Sequence, residues 1–210
     1  MANRLADRLK AARRRFFVGR TAQKTLFHSA LSSDDPPFYV MYVYGPGGVG
    51  KTSLLHEFAY EAQQFGAEAV YLDMRNIEPA PDTFTSSLAQ ALGGAPQANP
   101  TDLLQSRGRK TVLLFDTCEL LAPLEGWLRD TFLPELPATT VTVMAGRNAP
   151  SSAWSADPGW QSAAQPDAQR EHDLSRPAHR AQRRAHQHCR FYTRPPARHF
   201  AGGRRARPTA

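Results

Sequence analysis

Apolar and polar positions follow two periods along the first three-quarters of the chain. Phe38 to Tyr44 is apolar throughout and rich in β-formers, the pattern of a strand buried on both faces. Ser53 to Phe65 then spaces Leu54, Leu55, Phe58, Ala59 and Ala62 at helical intervals. Ala69–Asp73, Thr111–Asp116 and Thr140–Ala145 read as further strands. Thr83–Leu92, ended by Gly93-Gly94, and Pro100–Arg107 read as helices. Glu119–Leu136 reads as largely helical, interrupted near Pro123. Upstream, Thr21 is expected to cap a helix reaching about Leu31 and closed by Asp34-Asp35-Pro36-Pro37. Asn3 to Arg15 places Leu5, Leu9 and Ala12 on one helical stripe, and its Arg13-Arg14-Arg15 end reads as a solvated face. Strands alternating with helices predict an α/β fold, with a mostly parallel sheet covered by helices on both faces.

Charge divides the chain more sharply than hydropathy does. Residues 162–210 hold 11 of the 26 basic residues, all Arg, and 3 of the 19 acidic ones, a net +8. Residues 1–161 therefore net −1 of the total +7. The basic stretch has no Val, Ile or Met, and five of the seven histidines. So few aliphatic residues cannot build a packed core, so the tail is expected to be disordered or irregular. This divides the chain into an N-terminal helical extension (1–15), a folded domain (16–161) and an Arg/His/Pro-rich tail (162–210). Two cysteines, Cys118 and Cys189, make no disulfide framework, and no run of about 18 apolar residues exists. The expected setting is cytoplasmic.

One motif carries most of the chemistry. Gly45-Pro46-Gly47-Gly48-Val49-Gly50-Lys51-Thr52 matches the phosphate-loop (Walker A) pattern G-x-x-x-x-G-K-[ST] at every fixed position. The pattern works because glycines let backbone N–H groups turn inward around phosphate oxygens. Lys51 reaches the β/γ-phosphates, the Thr52 hydroxyl is a Mg²⁺ ligand, and the helix beginning near Gly50, with Ser53 in its first turn, aims its N-terminal dipole at the same anion. The loop follows a strand and opens a helix, the context the pattern requires. Asp116, an acid ending a buried strand, suits the second Mg²⁺ contact. Glu119 is either the group that orients water or a favourably placed helix-start charge. Arg147, after the fourth strand, could sense the γ-phosphate or be a surface arginine in a turn. In a parallel sheet Gly45, Asp116 and Arg147 fall on one rim, at the carboxyl ends of their strands.

Phe17-Val18-Gly19-Arg20, then the phosphate loop, then Leu113-Leu114-Phe115-Asp116-Thr117-Cys118-Glu119-Leu120-Leu121, then Ala145-Gly146-Arg147 come in a specific order and spacing. In these the chain resembles the signal-transduction ATPases with numerous domains, a class related to AAA+, and among them bacterial ATP-binding regulators that often end in a LuxR-type helix-turn-helix. The resemblance covers residues 16–161. It implies a P-loop NTPase three-layer sandwich, Val18, Gly19 and Arg20 near the adenine, and ATP rather than GTP as the Mg²⁺ complex. It also implies a switch with slow hydrolysis at most, and DNA binding only through domains this chain lacks. Two departures stand out. Thr21 follows Gly-Arg where the class usually has Glu, and Thr117 follows Asp116 where many such proteins have Glu.

After Gln161 the class continues into a helical lid with a Gly-x-Pro-Leu-Ala segment, which this chain lacks. Back-translating Arg194 to Arg207 with free codons and shifting one base permits Gly-His-Pro-Leu-Ala-Thr-Ser-Leu-Val-Ala-Asp-Val-Leu. The expectation is therefore a tail out of frame from about Ser162. The alternatives are non-specific nucleic-acid binding through the basic tail and a non-functional truncated fragment.

Overall fold

The computed structural model describes residues 19–156 and the strand at 160–164. The expected N-terminal helix, Val18, the tail beyond Ala164, its histidines and Cys189 lie outside the described residues. Five strands make one sheet: β1 (Val40–Tyr44), β2 (Glu68–Asp73), β3 (Thr111–Asp116), β4 (Thr140–Gly146) and β5 (Trp160–Ala164). Every pairing is parallel and the order across the sheet is β2-β3-β4-β1-β5. Among the described residues, four α-helices of eight residues or more accompany it: α1 (Thr21–Ser32), α2 (Lys51–Gln64), α3 (Pro81–Ala91) and α4 (Pro100–Arg107).

The strand alternation sorts the core into two layers, one on each face. Met41, Val43, Val112, Leu114, Val141, Val143 and Ala145 pack against Phe27 and Leu31 of α1 and Leu54, Leu55, Phe58 and Ala62 of α2. Their neighbours Val40, Leu113, Phe115 and Met144 face the opposite way, onto Phe84 and Leu88 of α3, Leu104 of α4 and the segment 118–133. β3 and β4, in the middle, are buried along their whole length. This is the P-loop NTPase three-layer arrangement, with helices on both faces of a parallel sheet. Among the described residues no helix is long and apolar enough to cross a membrane.

Local chemistry explains most element ends. Pro81 and Pro100 begin α3 and α4, where a missing N–H costs nothing. The Asn99 side chain caps α4 by accepting from Thr101 N at 2.9 Å. Lys110 closes α1 from a distance: its ammonium donates to the carbonyls of Leu31 at 2.9 Å and Ser33 at 2.6 Å, a cation on the negative helix end. The α1–α2 contact is ionic as well as apolar. Lys24 reaches Glu57 at 3.2 Å and Glu61 at 2.6 Å, and His28 lies 3.0 Å from Glu61.

Three expectations change. Thr21 is the first helical residue of α1 rather than its cap; Arg20 holds the cap position in the left-handed region (φ 66°, ψ 23°), with no side-chain cap. The stretch 118–135 is a succession of tight and wide turns, 3₁₀ at Cys118–Leu124 and Leu133–Glu135 and a π-turn at Leu128–Phe132, with one α-turn at Glu125–Trp127. Pro123 and Pro134 lack the N–H that the regular ladder needs there. β5 has no counterpart in the sequence pattern, and it runs across position 161, so residues 162–164 pair with Tyr42, Val43 and Tyr44 of β1.

Phe84 is the hub of the second layer, fully buried with edge-on contacts to Phe115, Trp127 and Phe132. Phe84→Ala is expected to lower unfolding free energy by about 3–5 kcal/mol, whereas Leu120→Ala, on the exposed side of the same region, shifts it by about 0.5 kcal/mol or less. Urea denaturation of the two variants checks both.

Candidate functional site

The rim at the carboxyl ends of β1, β3 and β4 gathers the chemistry. β4 lies between the other two strands, so the turn after it stands between the loop after β1 and the acid ending β3. Tyr44 pairs with Gly146 in register, and Gly45 N donates to Gly146 O at 3.3 Å, tying the start of the loop to the end of β4. Gly146 is there for space. A Cβ would stand 2.6 Å from the Tyr42 hydroxyl.

Gly45 to Gly50 makes a loop whose turns are left-handed at Gly48 (φ 83°) and Gly50 (φ 87°). A side chain there would be strained. Gly47 has no such strain, and a Cβ on it would project into open space. The space beside Gly47, Gly48 and Gly50 is open, since a Cβ there would meet no atom within 4 Å. Gly50 caps α2, with Leu54 N bonded back to Gly50 O at 2.9 Å. The amides of the first helical turn, Lys51 to Ser53, then point out of the helix end, with Thr52 and Ser53 exposed. Lys51 Nζ donates to Gly45 O at 2.8 Å and Pro46 O at 2.9 Å, so the ammonium sits over the loop itself. Burial holds its pKa below the ordinary lysine value, against the opposing pull of Glu119 and Asp116.

Asp116 is almost fully buried, and both its oxygens are engaged. Oδ1 accepts from Thr117 N at 2.9 Å and Oδ2 from the Tyr71 hydroxyl at 2.8 Å. Thr117 is held in the left-handed region (φ 61°, ψ 38°), a β-branched residue where such geometry is an outlier. Glu119 and Arg147 meet each other. The Glu119 carboxylate accepts from Arg147 N at 3.1 Å and from Arg147 Nε at 3.0 Å. The two residues expected in separate roles thus form one ion pair beside Lys51, with Arg147 two-thirds exposed. Glu119 also lies in the first turn of the 3₁₀ segment Cys118–Leu124, so it is a helix-start charge as well as a partner of the turn after β4.

Arg20 also comes to the loop. It is buried, and its guanidinium donates to Val49 O at 2.6 Å. Of the residues expected near the adenine, Arg20 thus touches the loop itself. The sequence pattern missed Tyr71, whose only signal was its place in a strand neighbouring Asp116.

The donor set fits a phosphate group. Backbone amides at a helix end, an ammonium and open space beside glycine suit an anion, and an exposed hydroxyl and a buried carboxylate are oxygen ligands of the kind a hard divalent cation takes. Neither a family model nor a curated protein matches the sequence. Solved structures do resemble the chain. They include a DNA replication initiation factor (17% identity, TM-score 0.47, 73% of this chain and 48% of that one). AMPPCP-bound DnaA from Aquifex aeolicus matches at 20% identity and TM-score 0.43, over 65% of this chain and 41% of that one. A chain of the E. coli MS115-1 HORMA:CdnC:Trip13 complex matches at 14% identity and TM-score 0.47, over 80% and 71%. The chain spans less than half the length of the first two. At these scores the likenesses add nothing to the fold described above, and no activity transfers through them.

Gly146→Ala is expected to destabilise the chain by about 1–3 kcal/mol through overpacking against Tyr42. Tyr42→Phe, which removes the clashing oxygen, should recover part of that loss. A double-mutant cycle read by thermal melting gives a coupling well away from zero if the contact is as described, and additivity if it is not.

Proposed function

We propose that this chain is the ATP-binding core of a nucleotide switch of the signal-transduction ATPase kind, taking ATP as its Mg²⁺ complex and hydrolysing it slowly at most. The observation that supports this reading most is the convergence of Lys51, the left-handed glycine loop and the buried Asp116 on one sheet rim. Loop amides and the α2 end would hold the β- and γ-phosphates, and Lys51 would exchange its contacts with Gly45 O and Pro46 O for phosphate oxygens. Thr52 and Asp116 would hold Mg²⁺, which neutralises phosphate charge when bound.

Slow turnover follows from the residues around Asp116. The next position is a strained Thr117, with no acid to activate water, and Glu119 is committed to Arg147. A base paired to arginine is a poor proton acceptor, because the cation stabilises its ionised form. The same pair gives the switch its moving part. An incoming γ-phosphate competes with Glu119 for Arg147, so nucleotide state could change the turn after β4.

Lys51→Ala should weaken ATP binding tenfold or more, since a charge-assisted phosphate contact contributes about 1.5–3 kcal/mol. Equal affinity in the variant and the parent, by isothermal titration calorimetry, would overturn the reading. Turnover in the parent chain is expected well below the roughly 10 s⁻¹ typical of enzymes. A phosphate-release assay at that rate or above would contradict the switch assignment.

A further inference from the structure

Tyr71 links the two elements that would supply the cation ligands. Its hydroxyl donates to Asp116 Oδ2 at 2.8 Å across the β2–β3 pairing, where Asp73 stands in register with Asp116. The opposite oxygen is held by Thr117 N, so the carboxylate has a defined rotation about its bond to Cβ. On its other side Tyr71 meets α2. The His56 ring stacks on the Tyr71 ring with centroids 4.9 Å apart and planes 27° apart. His56 is four residues after Thr52 and lies on the same face of α2. Thr52, His56, Tyr71 and Asp116 therefore form a short path from the helix bearing one candidate ligand to the strand bearing the other.

Resting on the Mg²⁺-ATP reading above, we propose that Tyr71 is a positioning residue for the cation site. It orients the Asp116 carboxylate and, through the His56 stack, keeps it at a set separation from Thr52. A carboxylate free to rotate would spend part of its time with the wrong lone pair toward the ion, and a hydroxyl anchored to a neighbouring helix prevents this. Partners of this kind around a metal-binding carboxylate typically change metal affinity by about 10–100-fold when removed. Tyr71 touches neither phosphate nor the ion in this arrangement, so its loss should leave metal-free nucleotide binding intact.

The test uses the 210-residue chain and methylanthraniloyl-AMPPNP as a fluorescent, non-hydrolysable probe. Affinity is measured with MgCl₂ and with EDTA for the parent, Tyr71→Phe, His56→Ala and Asp116→Asn. The parent should bind more tightly with Mg²⁺, and Asp116→Asn should lose that gain. Tyr71→Phe should cut the gain about tenfold with its EDTA affinity unchanged, and His56→Ala should cut it less. A parent-like gain in Tyr71→Phe, with Asp116→Asn losing it, overturns the inference and leaves the nucleotide reading standing. So does an equal fall in both affinities, the mark of a merely structural role. A gain that survives Asp116→Asn overturns the cation site itself. Should Tyr71→Phe melt below the assay temperature, His56→Ala, which keeps the hydroxyl, decides the matter by the same ratio.

Discussion

The parallel pairing of β1 with β4 is the constraint on which the site depends. It sets Tyr44 opposite Gly146 and brings the first amide of the glycine loop onto the last carbonyl of β4. Because β4 also pairs with β3, the same strand fixes where Asp116 stands relative to Lys51. A slip of one residue in either ladder would reverse every side chain of that strand and exchange the two core layers. The wholly buried β3 and β4 make such a slip costly, and Gly146 leaves room for the Tyr42 hydroxyl at the point where the strands end.

On this frame the charges are arranged as opposed pairs rather than as isolated groups. Lys51 rests on loop carbonyls, Glu119 on Arg147, and Asp116 on Tyr71 and Thr117. Buried or half-buried ions need such partners, since a lone charge there would be expensive. If the site takes a polyanionic ligand as proposed, that ligand would not enter an open field of free cations but would displace protein–protein contacts. Arg20, buried and bonded to the Val49 carbonyl, puts α1 in direct touch with the loop, and the Lys24 and His28 contacts to Glu57 and Glu61 fasten α1 to α2.

Much of this was legible from local pattern. Pro100–Arg107 and Thr111–Asp116 form as predicted, because a proline start, a glycine stop and an unbroken run of β-formers are local signals. The phosphate loop was legible for the same reason, since its glycines answer a backbone requirement. The helical character of 118–135 was legible, but its mixture of 3₁₀, α and π turns was not, because apolar spacing does not distinguish them and Pro123 and Pro134 each remove a ladder donor. β5 was invisible since Trp-Gln-Ser-Ala-Ala has neither β-branched residues nor alternation; it is a strand only because β1 offers a free edge. Charges were placed on the right rim but not paired. The Glu119–Arg147 bridge spans 28 residues and the Tyr71–Asp116 bond 45, and no spacing rule reaches that far.

In the proposed complex the loop from Gly45 to Thr52 wraps phosphate through its backbone amides. Hydrogen–deuterium exchange of the whole chain, with and without Mg²⁺-ATP, reads those amides directly. Slowed exchange is expected mainly in peptides covering residues 45–54 and 145–148. Unchanged exchange over 45–54 at saturating nucleotide would contradict it.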